Sequence, residues 1–159
     1  MKHNIVRINK IVLSNFKNVK KGIVEMPAYS GKELFSEKAD VLGLYGQNGS
    51  GKTSVVEALR FVKMLLSGEE LPADTKEYIA QGEEECEIDV SFSVAEEVQK
   101  ETVNYSVALK KDADGFVISH ERMTVVPRKE NIRAVESTLI DYQYDNEDVT
   151  FAPEYRYKK

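Results

Sequence analysis

Cysteine and histidine are scarce in this sequence, which limits the kinds of site it can build. The 159 residues include one cysteine, Cys86, and two histidines, His3 and His120. A single cysteine cannot form an intramolecular disulfide, and these three side chains lack the spacing of zinc ligands. We therefore interpret Cys86 as a small core residue, with a reactive thiol as the alternative.

Long apolar runs are also missing. No stretch approaches the roughly 20 apolar residues that a membrane-spanning helix requires, so we expect a cytoplasmic protein with no membrane partner. The chain is 42% hydrophobic and 31% charged, which suits one globular domain with a substantial core. Its net charge of −5 neither predicts nor excludes a nucleic-acid partner.

What the sequence does contain is strand-like alternation on both sides of one helical segment. Apolar residues alternate within Ile5 to Phe16, with an irregularity near Asn9, and a second strand is predicted at Gly22 to Met26. Pro27 to Lys38 is typical of a loop. The later strand candidates are Glu87 to Val94, Val103 to Leu109, Phe116 to Val126 after an Asp114-Gly115 turn, and one or two strands between Ser137 and Lys159.

The centre of the chain has the order strand, glycine-rich loop, helix. Val41 to Tyr45 is a short apolar run, typical of a strand buried on both faces. Helical spacing of apolar residues starts after Lys52 and ends near Ser67 and Gly68, where glycine can form a left-handed cap. Asp74 to Gln81 is a candidate short helix.

The loop between them fits the pattern G-x-x-x-x-G-K-[ST] of a phosphate-binding loop. Glycines at 46, 49 and 51 let successive backbone N–H groups approach phosphate oxygens. Lys52 supplies a positive charge for the β and γ phosphates, and Thr53 supplies a hydroxyl ligand for Mg²⁺. Ser54 is a helix-start residue expected near the α-phosphate. The predicted site therefore comprises Gly46, Gln47, Asn48, Gly49, Ser50, Gly51, Lys52, Thr53 and Ser54.

The motif and Glu57 in the helix that follows it each have a simpler structural interpretation. A glycine-rich turn with no ligand would give the same motif, but the preceding strand-like run and the following amphipathic helix favour a site. Glu57, one turn into the helix, is interpreted as a helix-surface residue rather than a general base, because it is too deep to reach the γ-phosphate.

Two segments together carry a family resemblance: Ile11-Val12-Leu13-Ser14-Asn15-Phe16-Lys17-Asn18, and Leu44 to Leu59 around the glycine loop. They resemble the N-terminal lobe of ABC-type ATPases, in particular the RecF, structural-maintenance-of-chromosomes and overcoming-lysogenization-defect group. The match covers most of residues 5 to 66. The resemblance implies an α/β fold: a P-loop NTPase lobe with a partly parallel core sheet around Val41 to Tyr45, one main helix after the loop, and an antiparallel β region.

The resemblance also implies ligands and partners. ATP and Mg²⁺ would be the cofactors, with Thr53 on the metal. The segment Asn15-Phe16-Lys17-Asn18 would lie near the adenine and ribose, with Phe16 and Lys17 as the residues assigned to the site. In this group a second ATPase head supplies the signature segment, so ATP joins two heads in a head-to-head dimer. This ATP-driven dimerisation would be coupled to an action on DNA or on an effector protein, which would be a further partner.

Several motifs of that group are absent from the sequence. It has no apolar run ending in Asp-Glu, which would give the Walker B acid and the catalytic glutamate, and no serine-glycine-glycine signature. We therefore expect residues 1–159 to be one N-terminal nucleotide-binding lobe of a longer ATPase, whose C-terminal half is a partner. The catalytic residues are left unassigned, and the lobe alone is expected to hydrolyse ATP weakly or not at all.

Two other functions share the same loop. A small P-loop kinase or phosphotransferase would need lid arginines, for which Arg122, Arg128 and Arg133 are the candidates. A non-hydrolysing interaction module would keep nucleotide binding for structure alone.

Overall fold

The computed structural model describes residues 5–27, 41–96, 99–113, 115–128, 135–144 and 148–151. Parts of three predictions lie outside the described residues: the loop beyond Pro27, the turn residue Asp114, and the tail after Phe151.

A seven-stranded sheet with the order β2-β1-β3-β4-β5-β6-β7 dominates the fold. Every strand pair in this sheet is antiparallel. The strands are β1 (Ile5–Phe16), β2 (Val19–Glu25), β3 (Glu85–Glu96), β4 (Gln99–Asp112), β5 (Gly115–Pro127), β6 (Ser137–Gln143) and β7 (Asp148–Phe151). The strands predicted from alternation are confirmed, with ends displaced by a few residues.

The expected irregularity near Asn9 is a β-bulge. The register of β1 against β3 shifts between Ile8 and Lys10, so Asn9 is the extra residue. Its buried side chain accepts a hydrogen bond from Ser93 Oγ at 2.9 Å, and its carbonyl accepts one from the N–H of Met26.

The two faces of the sheet differ in polarity because side chains alternate along each strand. One row across β2, β1, β3, β4, β5 and β6 is apolar: Val24, Ile11, Val90, Tyr105, Met123 and Ile140. The next row contains the polar or charged residues of the opposite face: Asp89, Ser106, Arg122 and Asp141 beside Ile23 and Val12. The hydrophobic cluster of the described residues therefore lies on the first face.

Within the part of the chain that the structure describes, one α-helix, α1 (Lys52–Ser67), covers that face. Ala58, Phe61 and Val62 on α1 join the buried cluster formed by the strands. The helix ends as predicted: Gly68 is left-handed, and the N–H groups of Gly68 and Glu69 bond the carbonyls of Leu65 and Met64. Within the described residues, no helix has the length and apolarity needed to cross a membrane.

The segment after α1 closes the core beside the end of β1. The predicted short helix is a 3₁₀ helix, Ala73–Tyr78. Lys17 donates its N–H to the Tyr78 carbonyl at 2.7 Å, and Ala80 donates to the Asn15 carbonyl at 2.8 Å. The Tyr78 ring lies 5.2 Å from Phe16 and 5.6 Å from Phe61, measured between centroids. This segment thus ties α1 to the β1–β2 turn.

The predicted parallel core around Val41 to Tyr45 is wrong. Residues 41–47 form no strand, and the described sheet contains no parallel pair. Val41 is 88% exposed and Tyr45 95% exposed. The apolar run has the composition of a doubly buried strand, but composition does not supply the neighbouring strands that a parallel strand needs for its backbone hydrogen bonds. The described fold is one helix on an antiparallel sheet.

Cys86 is a core residue, as predicted. It is buried on β3, and burial raises the pKa of its thiol to about 12, with a backbone hydrogen bond at Leu109 partly opposing the effect. The folded protein therefore favours the neutral thiol, which is not the nucleophile.

We predict that Cys86 is inert in the folded protein at pH 8. Because its ordinary pKa is 9.0, the thiolate fraction falls roughly a thousandfold on folding, and a disulfide reagent will label it only after denaturation. The same difference stabilises the fold below pH 9, and that contribution is lost as the pH rises towards 12, because the unfolded thiol ionises first. Equal labelling rates with and without denaturant would contradict the burial of this thiol.

Candidate functional site

The glycine loop runs over the surface from the exposed segment 41–45 to the start of α1. Two of its glycines have left-handed backbone angles, with φ of 84° at Gly49 and 88° at Gly51. Gly51 is buried, and a Cβ there would lie 2.6 Å from Val19 Cγ2. Only glycine meets both demands at position 51, so the loop can reverse against β2 and enter the helix.

The start of α1 offers backbone donors to an anion. No side chain caps the helix at Gly51, and Val55 N–H makes the first helical bond, to the Gly51 carbonyl. The N–H groups of Lys52, Thr53 and Ser54 precede that bond, so they have no acceptor four residues earlier within the helix. The helix dipole adds partial positive charge at the same place.

Lys52 folds back over the loop. Its ammonium donates to the carbonyl oxygens of Gly46 at 2.7 Å and Gln47 at 2.6 Å, and to Ser50 Oγ at 3.2 Å. These three acceptors match the three donors of an ammonium group. The charge is thus held over the loop by exposed acceptors, which phosphate oxygens can replace.

The neighbouring hydroxyls differ in availability. Thr53, at the second position of α1, is an exposed residue. Ser54 is 3% exposed, and its hydroxyl donates to Asn18 Oδ1 at 2.7 Å. Since a hydroxyl has one proton, the Ser54 side chain is engaged with the β1–β2 turn.

Asn18 is the site residue that the sequence did not identify individually. It is in the β1–β2 turn, 31 residues before Gly49, and its amide Nδ2 donates to the Gly49 carbonyl. With the Ser54 bond, one side chain joins the loop to the helix start. The resemblance had indicated only the segment Asn15 to Asn18, near the adenine and ribose.

Phe16 and Lys17, the residues predicted near the base and ribose, occupy different environments. Phe16 is completely buried in the core, so its side chain contacts protein. Lys17 Nζ lies 2.6 Å from Glu57 Oε1 and 5.3 Å from the centre of the Tyr78 ring. Glu57 is therefore an ion-pair partner on the helix surface. The nucleotide contacts of Phe16 and Lys17 stay predictions.

A small cavity of about 120 Å³ lies at the glycine loop, and its lining comprises Asn18 and residues 48–54. The lining is made of amides, hydroxyls, glycine backbone and one ammonium, which is the chemistry that binds phosphate oxygens. The structure thus brings residues 46–54 together; the ligand role of each stays a prediction. Within the described residues, no group of three or more His, Cys, Asp or Glu side chains is placed to hold a metal.

The comparison with protein families agrees with this geometry. Residues 41–156 match the family described as "AAA domain, putative AbiEii toxin, Type IV TA system", which is more than half of the chain. The chain belongs to this family. None of the curated proteins matches the sequence significantly.

Membership makes this an ATPase-type AAA domain and supports nucleotide binding, with ATP as the nucleotide. The matched residues of the AAA domain include the whole glycine loop and α1, whereas the β1–β2 hairpin precedes them. Two of the three arginines proposed for a kinase lid are held elsewhere: Arg122 Nε lies 4.0 Å from Asp141 Oδ2 on the polar sheet face, and Arg128 Nε donates to Thr102 Oγ1. Arg133 lies outside the described residues.

We predict that Gly51→Ala destabilises the AAA domain more than Gly49→Ala. Both substitutions place a side chain in a left-handed conformation at a cost of about 1–2 kcal/mol, but only the Cβ at position 51 meets Val19. The additional overlap is expected to lower the free energy of unfolding by about a further 1–3 kcal/mol, measured by urea denaturation. Val19→Ala should relieve part of that extra loss. Equal losses for the two glycine variants would contradict the packing of the loop on β2.

Proposed function

We propose that this chain is the nucleotide-binding lobe of an ABC-type ATPase and binds Mg·ATP through residues 46–53. The observation that carries the proposal is the position of Lys52 Nζ, 2.7 and 2.6 Å from two loop carbonyls. It lies at the start of a helix whose first amides lack intrahelical acceptors. On binding, β- and γ-phosphate oxygens replace those carbonyls as acceptors from the ammonium, while the amides bind the remaining oxygens.

Thr53 is the proposed protein ligand of Mg²⁺. Its hydroxyl is exposed beside the cavity, and Mg²⁺ typically takes few protein ligands together with water and phosphate oxygens. The lack of an acidic metal cluster among the described residues fits an ion that arrives with the nucleotide.

The proposed work of the domain is ATP-driven association with a second ATPase head. Phosphoryl transfer needs an oriented water and charge stabilisation beyond the loop, and the cavity lining includes no carboxylate. A second head would supply such groups across the bound nucleotide. Tyr45, nearly fully exposed beside Gly46, provides apolar surface at the edge of the loop for that contact.

The process that this ATP-driven association drives is proposed to be defence-related or DNA-related. The family description names a putative toxin of a type IV toxin–antitoxin system, which supports the defence-related alternative. A cytoplasmic location and a single lobe over residues 1–159 belong to the same proposal and stay predictions from the sequence.

We predict that Lys52→Ala strongly weakens Mg·ATP binding, as measured by calorimetry. The matched control is Lys63→Ala, which removes an exposed lysine from the same helix, away from the loop. Losing a charged donor to phosphate should weaken binding by about 2–3 kcal/mol or more, whereas the control should bind like the parent. Absence of binding by the parent, or equal binding by both variants, would contradict the proposed site.

We also predict that Mg·ATP, but not Mg·ADP, converts the chain to a dimer, because only the triphosphate reaches a second head. Sedimentation velocity with each nucleotide measures this directly. Tyr45→Ser should weaken the dimer and leave monomer binding of ADP unchanged. A chain that remains monomeric in saturating ATP would contradict the proposed association but would not contradict the proposed binding site.

A further inference from the structure

We propose that Asn18 is a positioning residue that holds the phosphate-binding loop in its binding conformation. This inference rests on the proposed nucleotide binding at residues 46–53. Asn18 lies outside the residues that match the family, and its side chain contacts the loop at Gly49 and the helix start at Ser54.

The orientation of the Asn18 amide is fixed by its partners. The Gly49 carbonyl can only accept, so the NH₂ group of Asn18 must face it, and Oδ1 then accepts from Ser54 Oγ at 2.7 Å. One planar group therefore connects the tip of the loop to the first turn of α1.

The distribution of hydrogen bonds shows why this connection matters when phosphate binds. Lys52 spends its donors on Gly46, Gln47 and Ser50, and it must redirect at least one of them to bind phosphate. The acceptors at Gly49 and on Asn18 are not used by Lys52. The Asn18 contacts can therefore persist both without phosphate and with phosphate bound, although Lys52 exchanges at least one of its bonds to the loop for a bond to phosphate.

The turn that carries Asn18 is anchored by a paired hairpin. The turn containing Asn18 joins β1 and β2, which pair from Phe16 with Val19 through Lys10 with Glu25. Val19, the next residue, contacts Gly51 closely enough to exclude a Cβ there. Loop residues 46–50, in contrast, are exposed. Preorganisation of such a loop reduces the entropy lost on ligand binding.

The test compares Asn18→Ala with Lys20→Ala, an exposed substitution in the same hairpin. We expect Asn18→Ala to raise the Kd for Mg·ATP and for inorganic tripolyphosphate about tenfold, and Lys20→Ala to change either by about twofold or less. Amide hydrogen exchange at residues 49–51 should accelerate only in Asn18→Ala, with similar free energies of unfolding for both variants.

A second set of variants separates positioning from general stability. Ser54→Ala leaves the Gly49 contact in place, so we expect a loss of about threefold. The Asn18→Ala/Ser54→Ala double variant should bind no more weakly than Asn18→Ala alone, because the Ser54 side chain acts on the loop through its bond to Asn18.

Unchanged loop exchange, with affinity of Asn18→Ala within about twofold of Lys20→Ala, would overturn the role of Asn18. Additive losses in the double variant would also overturn it. If the parent binds no nucleotide, the proposed function fails, whereas loop exchange in Asn18→Ala still decides whether this side chain holds the loop.

Discussion

Contact between the β1–β2 turn and the start of α1 is the constraint on which the candidate site depends. Val19 packs where Gly51 has no side chain, and Asn18 bonds both Gly49 and Ser54. Because the turn belongs to a continuous antiparallel sheet, its contacts fix the position of the glycine loop, which lies on the surface. The helix is held from its other side by the core, so its unpaired amides point to a defined place.

Local patterns predicted most elements correctly. Alternation along β1 and β3 identified strands because their apolar side chains reach one buried face, while residues such as Asp89 reach the other. The spacing of apolar residues from Val55 to Leu66, followed by Gly68, defined α1 and its end. The glycine motif likewise identified the loop, since the left-handed angle and the close packing at Gly51 require glycine.

Non-local arrangement was not predictable in the same way. Val41 to Tyr45 has the composition of a buried parallel strand, yet it is exposed and unpaired within the described residues, because burial depends on which strands lie beside it. Asn18 was also missed as an individual residue. An asparagine in a turn has the same local signature whether or not its amide contacts a loop 31 residues away. Only the folded sheet brings the two segments together.

Backbone amide chemical shifts during a titration with Mg·ATP would test the central claim most directly, since they report where the ligand binds. The account predicts saturable shifts at residues 49–54, with the largest at the amides of Lys52 and Thr53, and little change at Ser106 on the polar sheet face. Shifts confined to that face, or none at the loop at saturating nucleotide, would contradict the assignment of residues 46–53 as the phosphate-binding site.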